Sequence, residues 1–370
     1  MTKNILKQCF GIDISKDSFA VQYGMLTQEL SAEYGSKRTF KNTLKGIESF
    51  LIWVGQQEQT VSVPSIFVVE ATGVYYENLA YILSSKHLQV SVLLPNKAKA
   101  FAASLDIKSK TDELDAIMLC RMGLERNLPV WQAPDATLRE IKLLTRERSQ
   151  YQKKKTKATN QLHAYRSGFE VPNIITERLE QEIKFLIDTI KAIEEQLSLL
   201  VLQQEELQQT VDRITKVPGL GPISVLTVLA ETNNFALVKN IKQLTSYAGL
   251  DVQLNQSGKS SKKSKISKKG NSHIRKALYM PALSACRCKD TALHEFYERL
   301  IEKKPAKKVG VIAVERKLLI LIYSLRKSVE EFDRNRYQDK KDTSGNAEIS
   351  VPLSGTLERK NKSRPMPALN

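Results

Sequence analysis

The 370-residue chain is poor in metal-binding and cross-linking residues, with four cysteines and four histidines. Cys9, Cys120, Cys286 and Cys288 show no zinc-ligand spacing, and four histidines cannot complete a framework around them. A disulfide-stapled scaffold is excluded, and a reducing compartment is expected. Sixteen glycines and twelve prolines exclude a collagen-like or low-complexity chain. No run reaches the roughly 18 apolar residues of a membrane span. The opening ten residues carry charge but no apolar h-region, so no secretory signal is expected either. Acidic residues are in deficit. Forty Asp+Glu against 57 Lys+Arg leave a formal charge of +17, which points to a polyanion partner, nucleic acid first. Hydrophobic residues make up 41% of the chain, enough to bury real cores.

Residues 8–23 alternate apolar and polar as two strands, and a short third strand is expected near Thr39-Phe40. A helix over 43–56 follows, with Leu44, Ile47, Leu51 and Val54 on one face. Buried strands are expected at Ser65–Glu70 and near 88–94, with a helix between them ending about Ser85. Strands mixed with helices predict an α/β sheet over residues 1–130. Residues 131–212 read as a helical, coiled-coil region. Ile183, Leu186, Ile190, Ile193, Leu197, Leu200, Leu207, Val211 and Ile214 repeat three and four apart, with Gln204 the polar intruder. The same repeat would also suit a long helix packed within its own domain. Residues 213–332 are expected to be mostly helical, interrupted by a Ser/Lys-rich loop over 255–269. The polar stretch 333–370 reads as a disordered tail. The fold class expected is therefore α/β plus all-α.

Four acids stand out by placement. Asp13 sits among apolar residues of the first strand, where an isolated charge would be costly. Glu70 ends another strand, and Asp112 and Asp115 share the first turn of a helix. Converging carboxylates repel one another and are stable mainly around hard cations, Mg²⁺ first, with phosphate oxygens completing the shell. Asp112 would equally serve as a first-turn acid beside a Thr111 cap, and Glu70 as a strand-end surface residue.

Gly11-Ile-Asp-Ile-Ser15, Val69-Glu-Ala-Thr-Gly-Val-Tyr75, Leu94-Pro-Asn-Lys97 and Lys110-Thr-Asp-Glu-Leu-Asp-Ala116 occur in that order. Together they resemble the RuvC-like (RNase H fold) domain of the DEDD recombinases of bacterial insertion sequences, the "IS one-ten" transposases related to the pilin-gene invertase Piv. The first motif alone is shared with sugar kinases and Hsp70-like ATPases, but the glycine-rich phosphate loops of those proteins are missing. The resemblance implies that Asp13, Glu70, Asp112 and Asp115 bind Mg²⁺ or Mn²⁺ and catalyse.

The 255–271 stretch contains no acid. Its Lys259, Lys262, Lys263, Lys265, Lys268 and Lys269, with Arg275 and Lys276 beyond, form the densest basic segment of the chain. It reads as a phosphate-contacting loop, or as the seat of a nucleophilic serine needing a base or metal from elsewhere. Spacing alone leaves Ser257, Ser260, Ser261, Ser264 and Ser267 as competing hydroxyls. Here too the sequence is similar to the same family, in Tyr247-Ala-Gly-Leu250, Ser257-Gly258, Ile266-Ser-Lys-Lys-Gly-Asn271 and Arg275-Lys-Ala-Leu-Tyr-Met-Pro-Ala282. The resemblance implies that Ser257 forms a covalent phosphoserine link to DNA, with the acid site and the serine supplied by different protomers of a dimer or tetramer. It also implies a structured guide ("bridge") RNA as a partner besides donor and target DNA, and a cytoplasmic, nucleoid-associated bacterial protein.

Val217-Pro-Gly-Leu-Gly-Pro222 resembles a helix-hairpin-helix turn, so Gly219 and Gly221 are candidate phosphate contacts or simply part of a capping turn. Lys153, Lys154, Lys155 and Lys157 form a further basic cluster, and Lys303, Lys304, Lys307 and Lys308 another. The expectation is a DNA transposase. The alternatives are a RuvC-like structure-selective endonuclease using metal-activated water, and a non-catalytic nucleic-acid scaffold.

Overall fold

Alternation of large apolar side chains with small or polar ones makes the first three segments strands, the first two largely buried and the third largely exposed apart from Phe40. They are β1 (Ile5–Ile14), β2 (Ser18–Thr27) and β3 (Ala32–Lys41), a longer third strand than expected. Thr43 caps α1 (Leu44–Gln57) by accepting from the Gly46 N–H. Then come β4 (Ser65–Glu70), α2 (Glu77–Ser85), β5 (Gln89–Leu93), α3 (Pro95–Ser104) and α4 (Asp112–Glu125). The five strands form one sheet in the order β3-β2-β1-β4-β5. The β1–β2 and β2–β3 pairs are antiparallel, and β1–β4 and β4–β5 are parallel. On one face Phe10, Phe19, Phe40 and Phe67 of the sheet pack edge-on and stacked with one another and with Phe50 and Trp53 of α1. On the other, Cys9 and Val68 pack with Leu119 and Cys120 of α4. The computed structural model describes residues 4–58, 63–105, 111–257, 260–289, 291–303 and 306–328, and of 254–257 and 260–264 only the backbone.

The chain divides into two compact units, 1–133 and 134–370. In the second, α5 (Ala136–Arg166) and α6 (Asn173–Leu202) form an antiparallel pair, joined by Arg166–Glu180 and Arg148–Glu194 ion pairs. Helices α7 (Glu205–Thr215), α8 (Pro222–Glu231) and α9 (Ile241–Ala248) follow. After the hairpin β6 (Val252–Ser257) and β7 (Ser260–Ile266) come α10 (Ser272–Ala285), α11 (Ala292–Lys303) and α12 (Lys307–Lys327).

Two expectations need correction. The heptad from Ile183 to Ile214 is not one helix: α6 ends at Leu202, and Gln204 stands at the start of α7 with its amide donating to Thr137 Oγ1 at 2.7 Å. The seam residues Leu186, Ile190, Ile193 and Leu197 are buried within the chain's own helices. The Ser/Lys-rich segment is not a bare loop either, since its backbone pairs as a hairpin with Asn255 opposite Lys262 and Ser257 opposite Ser260. The expected tail 333–370 lies outside the described residues, as do Gly258, Lys259 and Lys304.

Candidate active site and nucleic-acid interface

On β1, Phe10, Ile12 and Ile14 face the aromatic core, so Cys9, Gly11 and Asp13 share the opposite face. In the parallel β1–β4 ladder Gly11 lies opposite Val68 and Ile12 opposite Val69, and the next step places Asp13 beside Glu70 at the strand ends. Both carboxyl side chains are half-buried. The Thr72 hydroxyl reaches Glu70 Oε1 at 3.5 Å.

Helix α4 covers this face very closely. A Cβ at Gly11 would stand 2.1 Å from the Cys120 nitrogen and 2.2 Å from the Ala116 carbonyl oxygen, so only glycine allows the approach. Farther along, a Cβ at Gly123 would meet Cys9 Sγ at 2.3 Å and Val68 Cγ2 at 2.8 Å. As α4 advances from 116 to 123 its partner positions retreat from Gly11 to Cys9. The helix therefore runs antiparallel to β1, with its first turn at the end that carries Asp13 and Glu70. That turn holds Asp112, exposed, and Asp115, half-buried, behind a Thr111 cap accepting from the Leu114 N–H at 3.2 Å. Glu113 beside them pairs with Lys37 of β3. The four acids thus gather at one end and on one face of the sheet. Their chemistry, oxygen donors only, suits a hard divalent cation. Among the described residues, however, no three acid, His or Cys side chains close into a metal-holding group.

In the second unit, Ser257 is the last residue of β6, at the tip of the hairpin. Lys262 and Lys263 lie on β7, and Lys265, Lys268 and Lys269 are exposed on and after it. At the hairpin base the Ser267 hydroxyl donates to Asp251, an acid that sequence reasoning passed over. Arg275, expected to contact nucleic acid, is turned inward: its Nη1 donates to the carbonyls of Ala248 (2.7 Å), Gly270 (3.1 Å) and Asn271 (3.3 Å). Lys276, exposed on α10, stands against Lys153 of α5. That neighbouring ammonium, with some burial, depresses its pKa. Two cations held together in this way suit an anion between them. Lys154 lies over the Tyr151 ring at 4.9 Å, Lys157 is exposed and Lys155 half-buried.

The two turn glycines differ. Gly219, at φ +89°, packs against α10, where a Cβ would meet the Pro281 carbonyl at 2.5 Å. The space beside Gly221 is open, and no side chain caps the first turn of α8 behind it. The N–H groups of the first turn of α8 are thus left without a side-chain cap at Gly221, whereas Gly219 is packed against α10.

Two family models match the chain. A DEDD-type IS110 model described as "Transposase" covers residues 10–166, and "Transposase IS116/IS110/IS902 family" covers residues 211–298. The chain belongs to the IS110-like transposase family. All four acids fall within the first match, and Ser257 within the second. This IS110-like transposase is similar to the pilin gene-inverting proteins of Moraxella bovis and Moraxella lacunata. Each is 29% identical over 334 residues, covering 90% of this chain and 99% of the relative. A "Probable family 20 transposase" of Pseudomonas aeruginosa is 27% identical over 146 residues, 39% of this chain and 42% of its own. The transposase is an enzyme of DNA recombination, its partner is DNA, and its DEDD domain is of a type that uses divalent metal. Among the described residues no helix is long and apolar enough to cross a membrane.

Proposed function

We propose that this transposase cuts and rejoins DNA through a phosphoserine at Ser257, with Asp13, Glu70, Asp112 and Asp115 holding Mg²⁺ or Mn²⁺ in an RNase H-like domain. One observation carries the reading: the glycine-mediated antiparallel seat of α4 on β1 gathers the four carboxylates at a single strand end. The strand order β3-β2-β1-β4-β5, three antiparallel strands followed by two parallel ones, supports the RNase H-like assignment. A bound divalent cation would neutralise charge developing on the scissile phosphate.

The chain's own contribution is positional. The Ser257 oxygen attacks phosphorus, one phosphate ester forms as another breaks, and the departing strand end leaves as a hydroxyl having gained a proton. Since ester count is conserved, the strand is rejoined by the reverse step without ATP. The Lys153–Lys276 pair and the lysines at 265, 268 and 269 hold flanking phosphates. The acid site and Ser257 meet across protomers of a homo-oligomer, and sequence choice is delegated to a structured guide RNA, while the basic protein reads backbone.

The test is a recombination assay on a plasmid substrate, with covalent protein–DNA species trapped and counted. Ser257→Ala and Asp13→Ala should each lower recombination by at least about a thousandfold while leaving DNA affinity within a few-fold. Only the wild type should yield an SDS-resistant adduct. A Ser257→Ala protein that cleaves normally would transfer the case to a metal-activated water and a resolvase-type nuclease.

A further inference from the structure

The hairpin ending β6 at Ser257 is short and its second strand is mostly Ser and Lys, with Ile266 at its base packed on the core of the second unit, so what grips that base bears on its placement. Between Gly249 and Asn271 the chain makes a backbone crossing. The Lys268 N–H donates to the Gly249 carbonyl at 3.1 Å, the Ser267 N–H to the Asp251 carbonyl at 2.9 Å, and the Asn271 N–H to the Tyr247 carbonyl at 2.7 Å. Gly249, left-handed at φ +70°, and Gly270 touch so closely that a Cβ on Gly270 would stand 2.5 Å from the Gly249 nitrogen. Arg275 sews the same crossing through its three carbonyls.

Beneath this crossing lies one fully buried anion. Glu231, the last residue of α8, has no exposed side-chain surface. Arg146 of α5 holds it with a two-pronged grip, Nε to Oε1 at 2.6 Å and Nη2 to Oε2 at 2.9 Å. Asn271 Nδ2 donates to Oε2 at 2.8 Å, while its Oδ1 caps α10 by accepting from the N–H groups of His273 and Ile274. The Tyr247 hydroxyl donates to the Glu231 carbonyl at 2.9 Å. Through Arg146, Tyr247 and Asn271, Glu231 thus links the end of α8 to α5, to α9 and to the cap of α10 that follows the hairpin. A geometry with this many fixed donors costs conformational freedom that a purely structural helix end does not need.

We infer that Glu231 is a positioning residue: through Arg146 and Asn271 it fixes the base of the β6–β7 hairpin, and so the approach of Ser257 to the scissile phosphate. This rests on the phosphoserine reading above. Displacement of a nucleophile by about 1 Å can lower a rate by about a hundredfold while leaving substrate affinity almost untouched. The motif residues Tyr247, Gly249, Gly270, Asn271 and Arg275 then act as the mount of the nucleophile and not as DNA contacts.

Two variants of the full chain test this. Asn271→Ser keeps an effective helix cap but is too short to reach Glu231. Arg146→Lys keeps the charge and loses the two-pronged grip. For each, the melting temperature, the DNA dissociation constant and the rate of adduct formation are measured below the melting transition. The expected result is an adduct rate reduced at least about tenfold in both, with the dissociation constant within about twofold of wild type. An adduct rate within twofold of wild type in either folded variant overturns the positioning role. So does a loss of binding that matches the loss of rate. Ser257→Ala is run alongside. If it still cleaves, the phosphoserine reading has failed, whereas an inert Ser257→Ala beside a fully active Asn271→Ser fails the positioning role alone.

Discussion

Two buried glutamates of the second unit respond to pH in opposite senses, because pairing outweighs burial at one and burial dominates at the other. Burial pushes the Glu231 carboxyl up, but the bonds from Arg146 and Asn271 and the charge of Arg146 outweigh it, so its pKa lies below the ordinary value. Its contribution is present above the unfolded value and is lost as pH falls through the lowered folded one. Glu315 of α12 is only 3% exposed and its Oε1 has no hydrogen-bond partner among the described residues. Burial lifts it to about 7 from a reference of 4.5, against the opposing charge of Arg275. The folded state therefore keeps a proton that the unfolded state has released. Stability from this residue is full below about pH 4.5 and falls as pH rises towards 7. Glu315→Gln should accordingly stabilise the protein at pH 8 by at most about 3 kcal/mol and give no gain at pH 4. Denaturant melts of the two proteins across that range decide it, and a constant difference would contradict the assignment.

At the scale of elements, the legible parts were those where packing writes a period into the sequence. The apolar alternation of Phe10, Ile12 and Ile14 and the unbroken run of Ser65–Glu70 mark strands that the sheet contains. Asp13, Glu70, Asp112 and Asp115 could be singled out from strand ends and a capped first turn. Their common face depends on the close seat of α4 at Gly11, a contact between residues a hundred positions apart that no local pattern carries. Helix α3 leaves little trace in the sequence because its alanines and lysines show little amphipathicity after Pro95. The β6–β7 hairpin is equally silent because a run of Ser and Lys carries no apolar alternation. The heptad misled for a subtler reason: its spacing runs on through Gln204 although the backbone turns there, so one face is shared by two helices. Since Leu186 packs with Ala158 and Leu162 of α5, Leu186→Ala should cost about 2–5 kcal/mol of stability. The subunit number, measured by light scattering, should stay unchanged. A fall in subunit number without loss of stability would place that seam between chains instead.

Across the whole molecule the surplus of seventeen positive charges is not spent evenly. Some cations are committed to the fold, Arg146 to Glu231 and Arg275 to three backbone carbonyls, and these cannot release counterions from DNA. Others stand beside like charge, as Lys276 does beside Lys153, where a bound anion would relieve the repulsion. The sorting makes a prediction that net charge alone would not. In titrations of labelled duplex DNA over a series of salt concentrations, Lys153→Ala and Lys276→Ala should each reduce the slope of log affinity against log salt by about 1. Arg275→Ala removes the same formal charge but should leave the slope nearly unchanged. Its cost should appear as about 1–3 kcal/mol of lost stability, from three carbonyls left without their donor. Equal slope changes for all three variants would mean that the transposase binds DNA through its diffuse field, with no assigned phosphate seats. A slope change at the two lysines alone would mark the α5–α10 surface as the place where the backbone is gripped.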